Sequence, residues 1–145
     1  MNTLQKKLAA SSLMTALARA IHNTGNEETL YIRLRIDAHR FTSCSPEIGY
    51  LDHKSEARYV DLSINGADSA HIVTLADRLA RAHTPSEASE DTDGLSFELE
   101  AVEVGRRWCV STKVTKWIPR TSRLAERHFQ YWIPCADRSR DRLAA

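Results

Sequence analysis

Residues 95–118 read LSFELEAVEVGRRWCVSTKVTKWI, and their alternation is that of a long β-hairpin. Leu95, Phe97, Leu99 and Ala101 alternate with Ser96, Glu98 and Glu100. On the return arm Trp108, Val110, Thr112 and Val114 alternate with Cys109, Ser111, Lys113 and Thr115. A loop at Val104-Gly105 sets Ala101 opposite Trp108, Leu99 opposite Val110, Phe97 opposite Thr112 and Leu95 opposite Val114. Slipping by one residue would bury the glutamates, so the apolar pattern fixes which face is inward. Leu99 and Val110 are therefore expected as buried neighbours.

Outward from the hairpin, the elements fall on both sides. Thr3 to His22 has Ala10, Leu13, Met14, Leu17 and Ile21 on one helical face, with Leu4 and Leu8 on another. Thr29 to Asp37 alternates as a strand, with Leu30, Ile32, Leu34 and Ile36 on one side. Residues 38–57 read as irregular, a length that is either functional or hides a short element. Arg58 to Ile64 is a second strand, ended by Asn65-Gly66. A second helix runs from Asp68, its expected N-cap, to His83, with Asp77 and Arg81 spaced for an ion pair. Residues 84–94 form an acidic linker, expected to be mobile. Beyond the hairpin, Thr121 or Ser122 caps a short helix through Arg127, and residues 128–133 form an edge strand before Pro134. Residues 135–145 are a polar tail.

Strands with one polar face cannot lie in a parallel sheet covered on both sides. The expected architecture is α+β: a four- to five-stranded antiparallel sheet packed against two main helices, a single domain over residues 1–134.

Composition sets limits on function. The chain has 145 residues, 42% hydrophobic, 27% charged, with a net charge of +1. That balance implies no bulk attraction to nucleic acid or membrane. Cys44, Cys109 and Cys135 are odd in number and irregularly spaced, as expected of reduced thiols in the cytoplasm. Lys6-Lys7 before an apolar run imitates a leader, but Ser11, Ser12, Thr15 and Arg19 interrupt it. The six histidines make no metal-ligand spacing, and there is no Cys-x-x-Cys, Walker loop or Gly-x-Ser-x-Gly. No cofactor or metal is expected. Asp37, Asp61, Glu98 and Glu100 could converge as a carboxylate site, but each also fits as the outward residue of its strand.

Charge segregation is the most informative feature. Residues 85–103 hold Glu87, Glu90, Asp91, Asp93, Glu98, Glu100 and Glu103 with no Lys or Arg. Residues 106–127 are basic. Cross-strand pairing, Glu103 with Arg106 and the others diagonally, absorbs three charges on each side. Left over are an acidic flap, Glu87, Glu90, Asp91 and Asp93, and a basic edge, Lys116, Arg120, Arg123 and Arg127, interleaved with Trp117 and Trp132.

Three function classes follow. The first is a non-enzymatic interaction protein, an inhibitor or accessory factor whose acidic flap meets the basic surface of a protein or nucleoprotein partner. The second is a module binding single-stranded nucleic acid through Lys116, Trp117, Arg120, Arg123, Arg127 and Trp132. The third is a small enzyme without a familiar motif. The near-zero net charge favours the first.

Overall fold

A computed structural model describes residues 3–24, 29–37, 47–52, 60–62, 66–83, 95–118 and 121–135. The elements in chain order are α1 (Thr3–His22), β1 (Thr29–Ile36), β2 (Glu47–Asp52), β3 (Val60–Leu62), α2 (Gly66–His83), β4 (Leu95–Val104), β5 (Arg107–Ile118) and β6 (Arg123–Pro134). The strands form one sheet in the order β3-β2-β1-β4-β5-β6, with every neighbouring pair antiparallel. The class is α+β with two helices, as expected. The sheet contains one strand more than its sequence suggests. That strand is β2, in the stretch that reads as irregular. Gly49 interrupts its apolar pattern, leaving Ile48 and Tyr50 as the described inward residues, too short a signal to register as a period.

The buried side chains form one cluster. Helix α1 contributes Ala10, Leu13, Met14, Leu17, Ala20 and Ile21 from a single stripe. Leu4 and Leu8 lie off that stripe and are exposed. Helix α2 contributes Ile72, Leu75, Ala76, Leu79 and Ala80 and packs against α1. It begins two residues before the expected cap, so Asp68 sits inside its first turn, where a carboxylate complements the helix dipole. The Asp77–Arg81 ion pair forms at 2.9 Å. In β1, Ile32, Leu34 and Ile36 are fully buried, whereas Leu30 is exposed. The β1–β2 register shifts between Thr29 and Tyr31, and this irregularity takes Leu30 out of the alternation.

The hairpin's faces are as expected, but its register is not. Leu99 pairs with Thr112, Ala101 with Val110, Phe97 with Val114 and Leu95 with Lys116. Every pairing is displaced by two residues, because the two-residue loop is Gly105-Arg106 and Val104 pairs with Arg107. Gly105 has φ 64 and Arg106 is not in the positive-φ region. Glycine thus occupies the first central position of a type II′ turn, whose twist suits a hairpin. A displacement of two preserves the inward set, so Leu99 and Val110 are both buried, as diagonal neighbours. Glu98 lies directly opposite Lys113, Glu100 opposite Ser111 and Glu103 opposite Trp108, replacing the pairings expected from sequence. A Cβ at Gly105 meets nothing within 4 Å. Gly105→Ala is therefore expected to cost only the left-handed backbone penalty, about 1–2 kcal/mol by urea denaturation. A Gly105→Ala variant as stable as wild type would contradict that account.

The third correction concerns residues 121–127. They do not form a capped helix: from Arg123 onward they belong to β6, which pairs continuously with β5 from Ile118↔Arg123 to Arg107↔Pro134. A single helical turn would have left the end of β5 without backbone partners, whereas the strand satisfies them. Ser122, at φ 49, helps make the turn. The edge strand expected at 128–133 is present as part of this longer one. Cys135 also belongs to the fold, since its N–H donates to the Arg106 carbonyl at 2.9 Å. The acidic linker, Cys44 and residues 136–145 lie outside the described residues.

Candidate functional site on the uncovered face of the sheet

The pleat sorts the sheet's side chains between two environments. Even residues of β1 and β5 and odd residues of β4 and β6 turn toward the helices; the rest form an outer face that no described element covers. The register builds this outer face row by row. Tyr31, Val102, Cys109 and Trp132 line up across β1, β4, β5 and β6. The Arg107 guanidinium lies over the Trp132 ring, 4.8 Å from its centroid, and Val104 is exposed beside it. The other end of the face carries Trp117 opposite Leu124.

Between these two apolar ends lies a charged band. Arg35 sits between Asp37, at 3.5 Å, and Glu98, at 3.8 Å. Arg33 is opposite Glu100. Lys113 reaches Glu126 at 3.3 Å, and His128 reaches the same carboxylate at 3.4 Å. The hydrogen bonds from His128 and then Lys113 hold the Glu126 carboxyl below its ordinary value. Arg33, Arg35 and Lys113 are thus set among Asp37, Glu98, Glu100 and Glu126, while Arg107 lies over Trp132 at the apolar end. Glu98 and Glu100 face outward beside arginines and do not converge on a catalytic centre; the side chain of Asp61 lies outside the described residues.

The residues of the expected basic edge do not share one surface. Trp117 and Trp132 are on the outer face, 44% and 41% exposed. They stand at opposite ends: their rows meet β6 at Leu124 and Trp132, about 27 Å apart at a strand rise of ~3.4 Å per residue. Lys116 faces the helix side and is only 4% exposed, which withdraws it from any phosphate-binding surface. Arg123 and Arg127 have the same inward parity as Ala125 and Tyr131, although both are exposed. Arg120 and the acidic Glu87, Glu90, Asp91 and Asp93 lie outside the described residues.

On the covered side, the structure assembles a polar centre that the spacing of the histidines conceals. His83, the last residue of α2, is 3% exposed. Its Nε2 shares a hydrogen bond with the Tyr131 hydroxyl, and its ring stacks on Phe129 with centroids 3.6 Å apart. The Lys6 ammonium lies over the opposite partner of that stack, 5.6 Å from the Phe129 centroid. Burial, and then the nearby Lys6 charge, lower the His83 pKa to about 4, so the imidazole is neutral at pH 7. Burial also raises the Tyr131 hydroxyl above its ordinary value. The His83 Nδ1 has no hydrogen-bond partner among the described residues. The pair is buried, and Tyr131 belongs to the core cluster with Phe129 packed against it.

Among the described residues, no group of three or more His, Cys, Asp or Glu side chains is placed to hold a metal ion. Cys109 and Cys135 form no disulfide among the described residues, and Gln130 Nε2 donates to Cys109 Sγ at 3.0 Å. No described helix is long and apolar enough to cross a membrane. Compared with known proteins, the chain matches no family model, no curated protein and no solved structure.

Proposed function

We propose that this chain is a small non-enzymatic interaction protein that holds a partner protein against the outer face of its sheet, which no described element covers. The observation that carries the reading is the row Tyr31–Val102–Cys109–Trp132 with Arg107 stacked on Trp132. Tyrosine, tryptophan and arginine dominate the energetics of protein interfaces, because they bury large areas at small entropic cost. The charged band beside the row, whose cations stand among acids, supports a protein surface over a polyphosphate, which would select a surplus of cations. The acidic run Glu87, Glu90, Asp91 and Asp93 adds, from the sequence alone, a preference for a partner with a basic surface. An inhibitor or accessory factor of a nucleoprotein machine has that character.

A second reading, binding of single-stranded nucleic acid, retains one favourable observation: Trp117 and Trp132 are both available for stacking. One experiment separates the two. A partner is captured from the native host on the intact chain, with and without nuclease, and its affinity is then measured for wild type and Trp132→Ala. The expected result is nuclease-resistant capture and a loss of about 2 kcal/mol or more in Trp132→Ala. Nuclease-sensitive capture, or a Trp132→Ala affinity equal to wild type, would sink the protein-partner reading at this face.

A further inference from the structure

We propose that β6 is a self-association edge, and that two copies of the chain pair β6 against β6 in antiparallel fashion about a twofold axis at His128. The inference is independent of the partner reading above, because it uses the edge of the sheet and leaves its outer face open.

The starting observation is that β6 ends the sheet and is long and regular. It spans Arg123–Pro134 and pairs with β5 with no register shift. Its other side presents backbone groups, from Leu124 onward, that pair with no other described strand, although the Arg127 guanidinium donates to the Glu126 carbonyl at 3.5 Å. Edge strands are ordinarily protected by brevity, a bulge, a central proline or charged side chains, inward-pointing ones included. The opposite edge has the first device, since β3 is only Val60–Leu62. β6 is not short or bulged and its one proline is its last residue; its charges, Arg123, Glu126 and Arg127, are the one device it keeps, and the register below sets none of them opposite a like charge.

The side chains of β6 then select the register. A second copy that keeps its helices on the same side must pair inward residues with inward and outward with outward. An axis at Arg127 would set two arginines face to face. An axis at Phe129 would set Glu126 against Trp132. An axis at His128 sets Leu124 against Trp132, Glu126 against Gln130, Ala125 against Tyr131 and Arg127 against Phe129, twice each by symmetry. The two His128 rings meet on the axis, each within 3.4 Å of its own Glu126.

This register also resolves the divided outer face. Trp117 is opposite Leu124 within one copy, and Trp132 continues to Cys109, Val102 and Tyr31 within the other. Placing Leu124 beside Trp132 of the second copy joins these into one row: Trp117, Leu124, then Trp132, Cys109, Val102 and Tyr31. Leu124, 55% exposed in the single chain, is thereby flanked by two tryptophans. The association closes on itself, because the remaining edges are the short β3 strands.

The test combines sedimentation velocity with cysteine cross-linking on the full chain. Wild type is expected to show a monomer–dimer equilibrium between micromolar and submillimolar concentration. Leu124→Lys should raise the dimer dissociation constant by about a hundredfold or more, since two symmetry-related contacts vanish together, while its circular dichroism and melting remain those of wild type. In a background with Cys44, Cys109 and Cys135 changed to serine, His128→Cys should oxidise to a disulfide dimer, as opposed strand residues lie within disulfide reach. Glu126→Cys alone should not cross-link, but mixed with Gln130→Cys it should. A chain that stays monomeric throughout, a dimer indifferent to Leu124→Lys, or a dimer cross-linked by neither His128→Cys nor the Glu126→Cys/Gln130→Cys mixture overturns the proposal.

Discussion

Replacing Phe97 with alanine is expected to remove about 3–5 kcal/mol of folding stability, the largest loss from any single truncation on β4. Phe97 is fully buried, the largest side chain among those with essentially no exposure. It sits between Ile36 on β1 and Val114 on β5, so its removal opens a void that three strands cannot close by local adjustment. The cost combines lost transfer free energy with lost contacts around the cavity. Its neighbour Glu98 points the other way, and Glu98→Ala should stay within about 1 kcal/mol. Urea titrations of the two variants give the comparison; near-equal losses would mean that the inward and outward sets are misassigned.

The second large effect is a dependence of stability on pH that traces to His83. In the unfolded chain the imidazole titrates near its ordinary value of 6.5, and in the folded chain at about 4. Between these values the unfolded state holds a proton that the folded state lacks. Stability from this group is therefore complete above pH 6.5, falls as the pH drops, and is fully lost below about pH 4. The magnitude is on the order of 3 kcal/mol, at ~1.4 kcal/mol for each unit of displacement. The charges facing the ring make the sign firm: Lys6 repels an imidazolium, and Tyr131 contributes only a neutral hydroxyl. Surface carboxylates add a slope common to all variants, so the informative quantity is a difference. Urea midpoints across this pH range should fall more steeply for wild type than for His83→Gln, and parallel curves would refute the account.

Much of the architecture was legible because each signal was local. The boundaries of α1, the alternation of β1, β4 and β5, and the inward parity of the hairpin all follow from nearest-neighbour periodicity. The failures have physical causes too. The register differs by two because Gly105 stands first in the loop, where its positive φ builds the II′ turn, and the apolar alternation alone does not distinguish that from a loop at Val104-Gly105. Residues 123–127 read as helical because a run of charged and small side chains carries no strand period; pairing along β5 outweighs that preference. The outer row was hidden for a different reason. Tyr31 and Trp132 are both outward on their own strands, but their alignment depends on β1 lying next to β4, a pairing that no local pattern encodes. The His83–Tyr131 centre needs the same long-range knowledge, since its members are separated by most of the distance between α2 and the end of β6.

That β1–β4 pairing has a consequence for the order in which the chain can be assembled. β4, β5 and β6 are consecutive neighbours and can zip together as soon as they exist, but Leu34 must wait for Leu99. At a ribosomal rate of ~5–20 residues per second, the gap between those two residues takes roughly 3–13 s to synthesise. Throughout that interval the inner strand of the finished sheet is itself an edge. Ile32, Leu34 and Ile36 are already made, but the strand that will flank them is not. The nascent N-terminal half is thus the portion of this protein most in need of a chaperone's shelter.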